Sequence, residues 1–206
     1  MAKGTIQILG YGEDALTYWA LRNRLPDIIH QCSPEEEDED FSVFYRPSFG
    51  RGGKTKANFG EFDAIIATGQ YLFLVESKWA SSSECRHDTV KVRDTQRRRH
   101  KIFEWYFENW ERDNDWASFA ENMGTEFSER FPEKKIAPAR SILSRNLGSV
   151  LEHAVREDGT KKRLVHLLLF IHPPGAKPPT SIEPDWYKLV KIEYPLKKDS
   201  QYFEIA

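Results

Sequence analysis

The sequence predicts an α/β protein whose mixed β-sheet is flanked by helices, and three observations lead to this prediction. Two runs rich in Ile, Val, Phe and Tyr flank Gly69-Gln70, which is typical of a β-hairpin with a two-residue loop. Residues 162–172, KRLVHLLLFIH, form a nearly continuous apolar run, as expected for a central strand covered on both faces. Helical periodicity precedes and follows the hairpin, so we expect the element order αβββαβ, with an extra helical segment before the last core strand.

The length of 206 residues is enough for a sizeable core, and we expect one domain over residues 1–206. The core is expected at about 10–112 and 162–194, with a helical insertion at about 113–158. Local patterns predict helices at 13 to about 25, 89–110, 113–131 and 141–156, and strands at 41–46 and 186–194, the latter at a sheet edge. Loops are predicted at 47–59 and 80–88.

Composition excludes several classes of protein. Charged residues make up 30% of the chain, no apolar run approaches the length of a membrane span, and the N-terminus lacks a signal-peptide hydrophobic stretch. We therefore expect a cytoplasmic protein that does not bind membranes. Cys32 and Cys85 are too few for a disulfide framework or a zinc ribbon, so buried or free thiols are expected.

The short loop fixes the register of the predicted hairpin, because side chains alternate between the two faces of a strand. Pairing outward from Gly69-Gln70 puts Asp63 across from Glu76 and Glu61 across from Lys78. These four polar side chains share a face with apolar residues that lie nearer the loop. The predicted face is therefore buried at one end and charged at the other.

Asp63 and Glu76 are expected to oppose each other directly, and two carboxylates in such a pair repel. A cation between them, or protonation of one of them, removes the conflict. Because Mg²⁺ binds through one or two carboxylates together with waters and phosphate oxygens, the pair predicts a divalent metal site. Lys78 would lie beside the metal-bound water and the phosphate. The alternative is a solvated strand end in which Glu61 pairs with Lys78 and no metal binds.

The net charge of -2 argues against a general binder of polyanions, but basic residues are concentrated in two stretches. Residues 46–56 contain four cations and no acid, and residues 86–101 contain seven cations and two acids. Such local patches can supply contacts to phosphates. The alternative is that each stretch is an ordinary solvated surface.

The predicted helix at 89–110 has an apolar stripe that turns polar toward the helix N-terminus, at Thr95, Gln96, Arg99 and His100. A polar group on the core-facing side of a helix needs a partner. A carboxylate site at the end of the sheet would supply one. The alternative is that the first half of a long surface helix is simply hydrated.

The element order and the spacing of the polar residues resemble those of the PD-(D/E)xK nuclease superfamily. The resemblance covers about residues 10–110 and the strand at 162–172, and it is strongest at the hairpin. The proline of the motif is absent, since Phe62 precedes Asp63. The matching residues are Glu13, Asp63, Glu76-Ser77-Lys78 and Gln96.

The resemblance implies a restriction endonuclease-like core and assigns roles to these residues. Asp63 and Glu76 would be metal ligands, and the backbone carbonyl of Ser77 would be a third. Lys78 would orient or activate the attacking water, and Glu13 would complete the acidic site from the first helix.

Gln96 matches a glutamine that Holliday-junction resolvase-like and Mrr-like nucleases carry on the helix after the Glu-x-Lys strand. The implied activity is hydrolysis of phosphodiester bonds with Mg²⁺, or with Mn²⁺, by a DNA endonuclease. The expected partner is nucleic acid, and cleavage of both strands would favour a homodimer. Residues expected to contact the nucleic acid are Arg51, Lys54, Lys56, Arg93, Arg97, Arg99 and His100.

Two other classes of protein compete with this interpretation. The first is a catalytically inactive module that binds nucleic acid or takes part in an assembly, although the presence of Asp63, Glu76 and Lys78 together argues against it. The second is an ordinary α/β protein with a salt-bridged hairpin. A Ser/His/Asp hydrolase has no support, because the sequence contains no G-x-S-x-G, and His166 and His172 are expected to be structural. The phosphate-binding pattern G-x-x-x-x-G-K-[ST] is also missing.

Overall fold

The computed structural model of the chain describes residues 8–36, 40–50, 56–86, 88–111, 115–195 and 203–205. The strands are β1 (Leu9–Gly10), β2 (Ser42–Tyr45), β3 (Ser48–Phe49), β4 (Gly60–Glu61), β5 (Ala64–Ala67), β6 (Tyr71–Trp79), β7 (Cys85–Arg86), β8 (Thr89–Lys91), β9 (Arg163–His172), β10 (Ser181–Glu183), β11 (Lys188–Glu193) and β12 (Phe203–Glu204). The helices are α1 (Gly12–Asn23), α2 (Leu25–Cys32), α3 (Asp94–Asn109), α4 (Trp116–Arg130) and α5 (Ile142–Leu151), followed by a 3₁₀ turn at Glu152–Ala154.

The main sheet has five strands in the order β11-β9-β6-β5-β2. It is mixed, because β11 runs parallel to β9 whereas β2 runs antiparallel to β5. The predicted class, α/β with a mixed sheet flanked by helices, is therefore confirmed. The apolar run predicted as a central strand is β9, and the predicted edge strand is β11.

The predicted hairpin with a two-residue loop is also present, as β5 and β6. Thr68 N donates to Tyr71 O at 3.0 Å, which closes the loop at the predicted residues. The Thr68 hydroxyl also accepts hydrogen bonds from the backbone N–H groups of Gln70 and Tyr71, at 3.3 and 3.0 Å. This side-chain turn holds the loop and so fixes the start of β6.

Two predicted boundaries were wrong. The helix predicted over 89–110 begins at Asp94, because Thr89–Lys91 forms β8 and pairs in parallel with β10. The predicted loop at 80–88 contains β7, which pairs antiparallel with β8. The predicted first helix is present as α1, which ends at Asn23, close to the predicted end at about residue 25. A second helix, α2, follows it and has Pro26 in its first turn, where proline is well tolerated.

The basic connection at 47–59 was predicted to be a loop, and part of it is ordered as sheet. Strand β3 within this segment pairs antiparallel with β4. Asn146 on α5 donates to the carbonyl of Ser48 at 2.9 Å, which ties the segment to a helix. Arg51 and Lys54, which were predicted to contact nucleic acid, lie outside the described residues.

The chain divides into two compact units. The first comprises the described residues within Met1–Glu39, Val75–Val92 and Leu167–Ala206, and the second those within Asp40–Leu74 and Arg93–His166.

In the first unit, helix α2 packs on the edge strand β11. The Gln31 amide donates to the carbonyl of Lys191 at 3.2 Å and accepts from its N–H at 3.3 Å. Lys188 Nζ donates to the carbonyl of Cys32 at 2.6 Å. A small apolar cluster lies beneath β8 and β9, formed by Val90, Val92, Leu168, Phe170 and Tyr187.

In the second unit, α3, α4 and α5 surround a core that is rich in aromatic rings. Tyr106 lies at its centre, where its hydroxyl accepts from the N–H of Ala137 at 2.9 Å. Trp116 Nε1 donates to the carbonyl of the same residue at 2.9 Å. The N–H and C=O groups of the buried Ala137 are thereby both hydrogen-bonded, as burial requires.

Candidate active site at Glu76, Ser77 and Lys78

Strand β6 carries three polar residues into the interior. It is the middle strand of the main sheet, and Glu76 and Ser77 on it are fully buried, while Lys78 is 5% exposed. Because side chains alternate along a strand, Glu76 and Lys78 share one face and Ser77 lies on the other. Burying charged groups is costly unless they are paired, so residues in such positions usually serve chemistry or a buried ion pair.

Lys78 has two partners. Its ammonium donates to the backbone carbonyl of Ser77 at 2.8 Å and forms a salt bridge with Oε1 of Glu13 at 3.3 Å. The alternative prediction paired Glu61 with Lys78. In the structure Glu61 is instead paired with Arg46, whose Nε and Nη2 both lie 2.8 Å from Oε1 of Glu61.

Glu13 reaches Lys78 because of the way α1 begins. Gly12 has a φ of +78°, a conformation that side chains rarely adopt, and it starts the helix so that Glu13 falls in the first turn. The helix dipole favours a carboxylate there. The Glu13 carboxylate therefore lies at the N-terminus of α1 and beside the Lys78 ammonium.

Asp63 lies in a bend directly before β5 and is half-buried. Its carbonyl accepts from the N–H of Arg46 at 3.1 Å. Asp63 belongs to the second unit, and its pairing with Glu76 stays a prediction from the hairpin register.

The oxygen donors of the first unit suit a hard cation. They are the carboxylates of Glu13 and Glu76 and the carbonyl of Ser77, and Mg²⁺ takes such oxygens together with waters. Two of these oxygens, Oε1 of Glu13 and the Ser77 carbonyl, already accept hydrogen bonds from the Lys78 ammonium, so they lie beside a positive charge. In the part of the chain that the structure describes, no group of three or more His, Cys, Asp or Glu side chains is placed to hold a metal. A metal here would therefore depend on the carbonyl and on waters as well as on carboxylates.

Gln96 has a structural contact on α3. Its side-chain oxygen accepts from the N–H of Arg93 at 3.2 Å, so it satisfies a backbone group at the start of the helix.

Three of the predicted nucleic-acid contacts, Arg93, Arg97 and Arg99, differ in their surroundings. Arg93 is exposed and Arg97 is paired with Asp94. The Arg99 guanidinium lies 5.1 Å from the centre of the Phe62 ring. Arg99 also lies against Gly60, whose φ is +118° and where a Cβ would come within 3.1 Å of Nη1. Lys56 is exposed.

His100 must be removed from the predicted nucleic-acid surface, because it is fully buried. Its Nδ1 lies 2.9 Å from Nδ1 of His166, and Nε2 of His166 lies 3.6 Å from Oε1 of Glu104. Burial, followed by the neighbouring His166, holds the pKa of His100 well below its usual value. The polar contact from His166 in turn lowers the pKa of Glu104. This cluster was not predicted, since its members lie on α3 and β9, 66 residues apart at the two histidines.

The Cys32 thiol is not placed for nucleophilic chemistry. Cys32 is a free, buried thiol at the end of α2, and burial raises its pKa to about 12. It is therefore protonated and unreactive at neutral pH.

Comparisons with protein-family models, with curated proteins and with solved structures found no match to this chain. Among the described residues, no helix is both long and apolar enough to span a bilayer. The class of protein that the fold defines is α/β with a mixed five-stranded sheet.

Proposed function

We propose that the chain is a metal-dependent nuclease that hydrolyses phosphodiester bonds, most simply as a DNA endonuclease with a restriction endonuclease-like core. One observation carries the proposal. Lys78 lies on the middle strand, two residues after the buried Glu76, and is itself buried. Its ammonium contacts the Ser77 carbonyl and the Glu13 carboxylate. An ordinary structural strand gains little from three polar residues in its buried part, because apolar residues would fill the same space without a desolvation cost.

The residues would divide the work as follows. Glu76, Asp63 and the Ser77 carbonyl would hold Mg²⁺ or Mn²⁺, with Glu13 as a further acid. A bound ion of this kind supplies a polarised phosphate and a water of lowered pKa. The Lys78 ammonium would stabilise the negative charge that develops on the phosphate, and burial strengthens this interaction because little water screens it.

Exposed cations would hold the substrate. Lys56 and Arg93 are exposed, and Arg97 lies one turn further along α3. Contacts from such side chains to phosphates give affinity without reading sequence. The substrate class is therefore nucleic acid, and DNA is the simplest candidate.

A second candidate is a catalytically inactive module that keeps the fold and binds nucleic acid. It is favoured by the finding that the described residues contain no group of three side chains placed to hold a metal. Gln96 also fits it, because a helix-capping role needs no catalysis.

The test is nicking of supercoiled plasmid with Mg²⁺ or Mn²⁺, beside an EDTA control, a branched DNA and a structured RNA. We expect Lys78→Met to lower the cleavage rate by about 100-fold or more, since it removes one charge that stabilises the transition state. Lys188→Met is the matched control, because Lys188 also donates to a backbone carbonyl in the first unit, at 2.6 Å from Cys32. Metal-independent binding of the nucleic acids without any cleavage would favour the inactive module instead.

A further inference from the structure

Strand β2 lies at one edge of the main sheet, and none of the described strands pairs with its outer side. Arg46, which follows β2, donates its N–H at 3.1 Å to the carbonyl of Asp63, which directly precedes β5. Because the backbone groups of successive residues alternate in direction along an antiparallel pair, those of Val43 point away from β5. The outer edge of β2 therefore presents backbone groups that can pair with a further strand.

The side chains of β2 are apolar where the strand meets solvent. Val43 and Tyr45 share one face of the strand and are 38% and 39% exposed. Phe44 lies on the other face and packs against the core of the second unit. Beside Phe44, a cleft of about 390 Å³ lies between β2 and α5, so the helix leaves room next to the strand. Natural edge strands are usually protected by lysine, proline or a covering element, and an apolar edge such as this one is suited to pairing.

The occupant that fits this edge is a second copy of the chain, because β2 is complementary to itself in an antiparallel pair centred on Val43. Val43 would then lie opposite Val43 of the second copy, and Tyr45 opposite Phe41 of the second copy. Aromatic and β-branched cross-strand pairs of this kind stabilise a sheet. The same register brings the outward-pointing backbone groups of the two copies opposite each other.

The charges on the two sides of β2 favour the antiparallel orientation. Residues 34–40 contain six acids, whereas residues 46–56 contain four cations and no acid. An antiparallel pair brings the acidic end of one strand toward the basic end of the other, and a parallel pair would bring like charges together. In the register centred on Val43, Asp40 is opposite Arg46 of the second copy. Arg46 is already paired with Glu61 of its own chain, so its charge would set the orientation more than the affinity.

We propose that the chain forms a two-fold homodimer in which the β2 strands of two copies pair antiparallel, centred on Val43. At the opposite edge of the main sheet, Gln31 on α2 engages the backbone of β11, so growth of the sheet stops at two copies. The dimer does not depend on the proposed activity. It gives a defined surface to the homodimer that cleavage of both strands would favour.

The first test is sedimentation equilibrium of the full chain over a range of concentrations. The wild type should show a reversible monomer–dimer equilibrium. Val43→Lys and Val43→Asp should each raise the dissociation constant by about tenfold or more, because each variant puts two like charges opposite each other at the two-fold axis. An equimolar mixture of the two variants should recover the dimer, since the charges at the axis are then opposite.

Tyr18→Lys is the matched control, because Tyr18 on α1 is 37% exposed, almost as much as Val43. This variant should dimerise as the wild type does. Recovery in the mixture separates a lost interface from a misfolded variant, since unfolded chains would not regain the dimer. Sedimentation does not measure cleavage, so failure of the dimer and failure of the proposed nuclease are distinguished.

The second test joins the two copies by a disulfide. In a hydrogen-bonded antiparallel pair the two opposed Cα atoms are about 5.5 Å apart, a distance that a disulfide spans. Val43→Cys in a Cys85→Ser background should therefore form a covalent dimer under mild oxidation. Tyr18→Cys in the same background should remain mainly monomeric.

Three outcomes would overturn the proposal. A wild type that stays monomeric at every concentration would mean that β2 does not pair. A dimer that survives in both Val43→Lys and Val43→Asp would use another surface. Equal yields of covalent dimer from the two cysteine variants would mean that the disulfide at position 43 reflects random collision.

Discussion

The two units each contain a buried polar cluster that joins a helix to a strand, and the clusters differ in charge. In the first unit, Glu13 on α1 meets Lys78 on β6 as an ion pair. In the second, His100 on α3 meets His166 on β9, and burial keeps His100 uncharged by lowering its pKa. The comparison teaches that burial alone does not mark a functional site. A buried ammonium paired with a carboxylate offers a field that can act on a charged substrate, whereas the neutral imidazole of His100 mainly satisfies a hydrogen bond.

The largest expected effect separates the two clusters by activity. We expect Glu76→Gln to lower the cleavage rate by about 100-fold or more, because it removes a charge from the proposed metal ligands. His166→Gln should stay within about threefold of the wild type, since an amide can keep a hydrogen bond to His100 without a charge. The measurement is plasmid nicking at a temperature where both variants are folded by circular dichroism. Equal losses in the two variants would break the comparison and make the histidine cluster part of the active centre.

The next effect is on stability and concerns pH. The pKa of His100 is lowered in the folded state, so below about pH 6.5 the unfolded chain takes up a proton that the folded chain refuses. Above that pH, His100 does not lower the free energy of unfolding. As the pH drops from there toward the folded-state pKa, the free energy of unfolding falls by about 1.4 kcal/mol per pH unit.

Denaturant unfolding between pH 7.5 and 5 measures this effect. His100→Gln should be less stable than the wild type at pH 7.5, and this difference in the free energy of unfolding should narrow as the pH falls to 5. His30→Gln is the control, because His30 is a histidine exposed on α2. A slope in His100→Gln equal to that of the wild type would show that His100 binds protons equally in the folded and unfolded chains, so that folding does not lower its pKa.

The smallest expected effect is the coupling energy of the Lys78–Glu13 ion pair in the first unit. A double-mutant cycle of Lys78→Met and Glu13→Gln in metal-free buffer should give a coupling of about 1 kcal/mol, reduced from the value of a fully buried pair because Glu13 is partly exposed. A coupling near zero without metal would mean that the salt bridge does not persist in solution.

Much of the fold follows from local sequence. The apolar run of β9 and the runs on either side of Gly69-Gln70 each predict a strand without reference to the rest of the chain, and each is present. Strand β8 was missed because its parallel partner β10 lies far away in sequence, with Thr89 facing Ser181. Three residues with one buried valine give too weak a pattern to predict a strand, and the helical pattern that follows was extended over them.

The candidate site could be predicted in part. The Glu76-Ser77-Lys78 strand was found from the hairpin, but the register offered Glu61 as the partner of Lys78. Arg46 holds Glu61 by two contacts to the same oxygen, and Glu13 pairs with Lys78 from 65 residues away. Such pairings depend on how a helix packs, which hairpin register alone does not determine.

The contacts of Gln31 have a consequence for self-association. The edge strand of a sheet normally presents free N–H and C=O groups on which a strand of another molecule can build. On β11, the Gln31 side chain engages both backbone groups of Lys191 and so imitates a neighbouring strand for one residue. Strand-by-strand growth into a continuous intermolecular sheet at this edge would first have to remove α2. A homodimer, if the proposed nuclease needs one to cut both strands, is therefore expected to form through another surface.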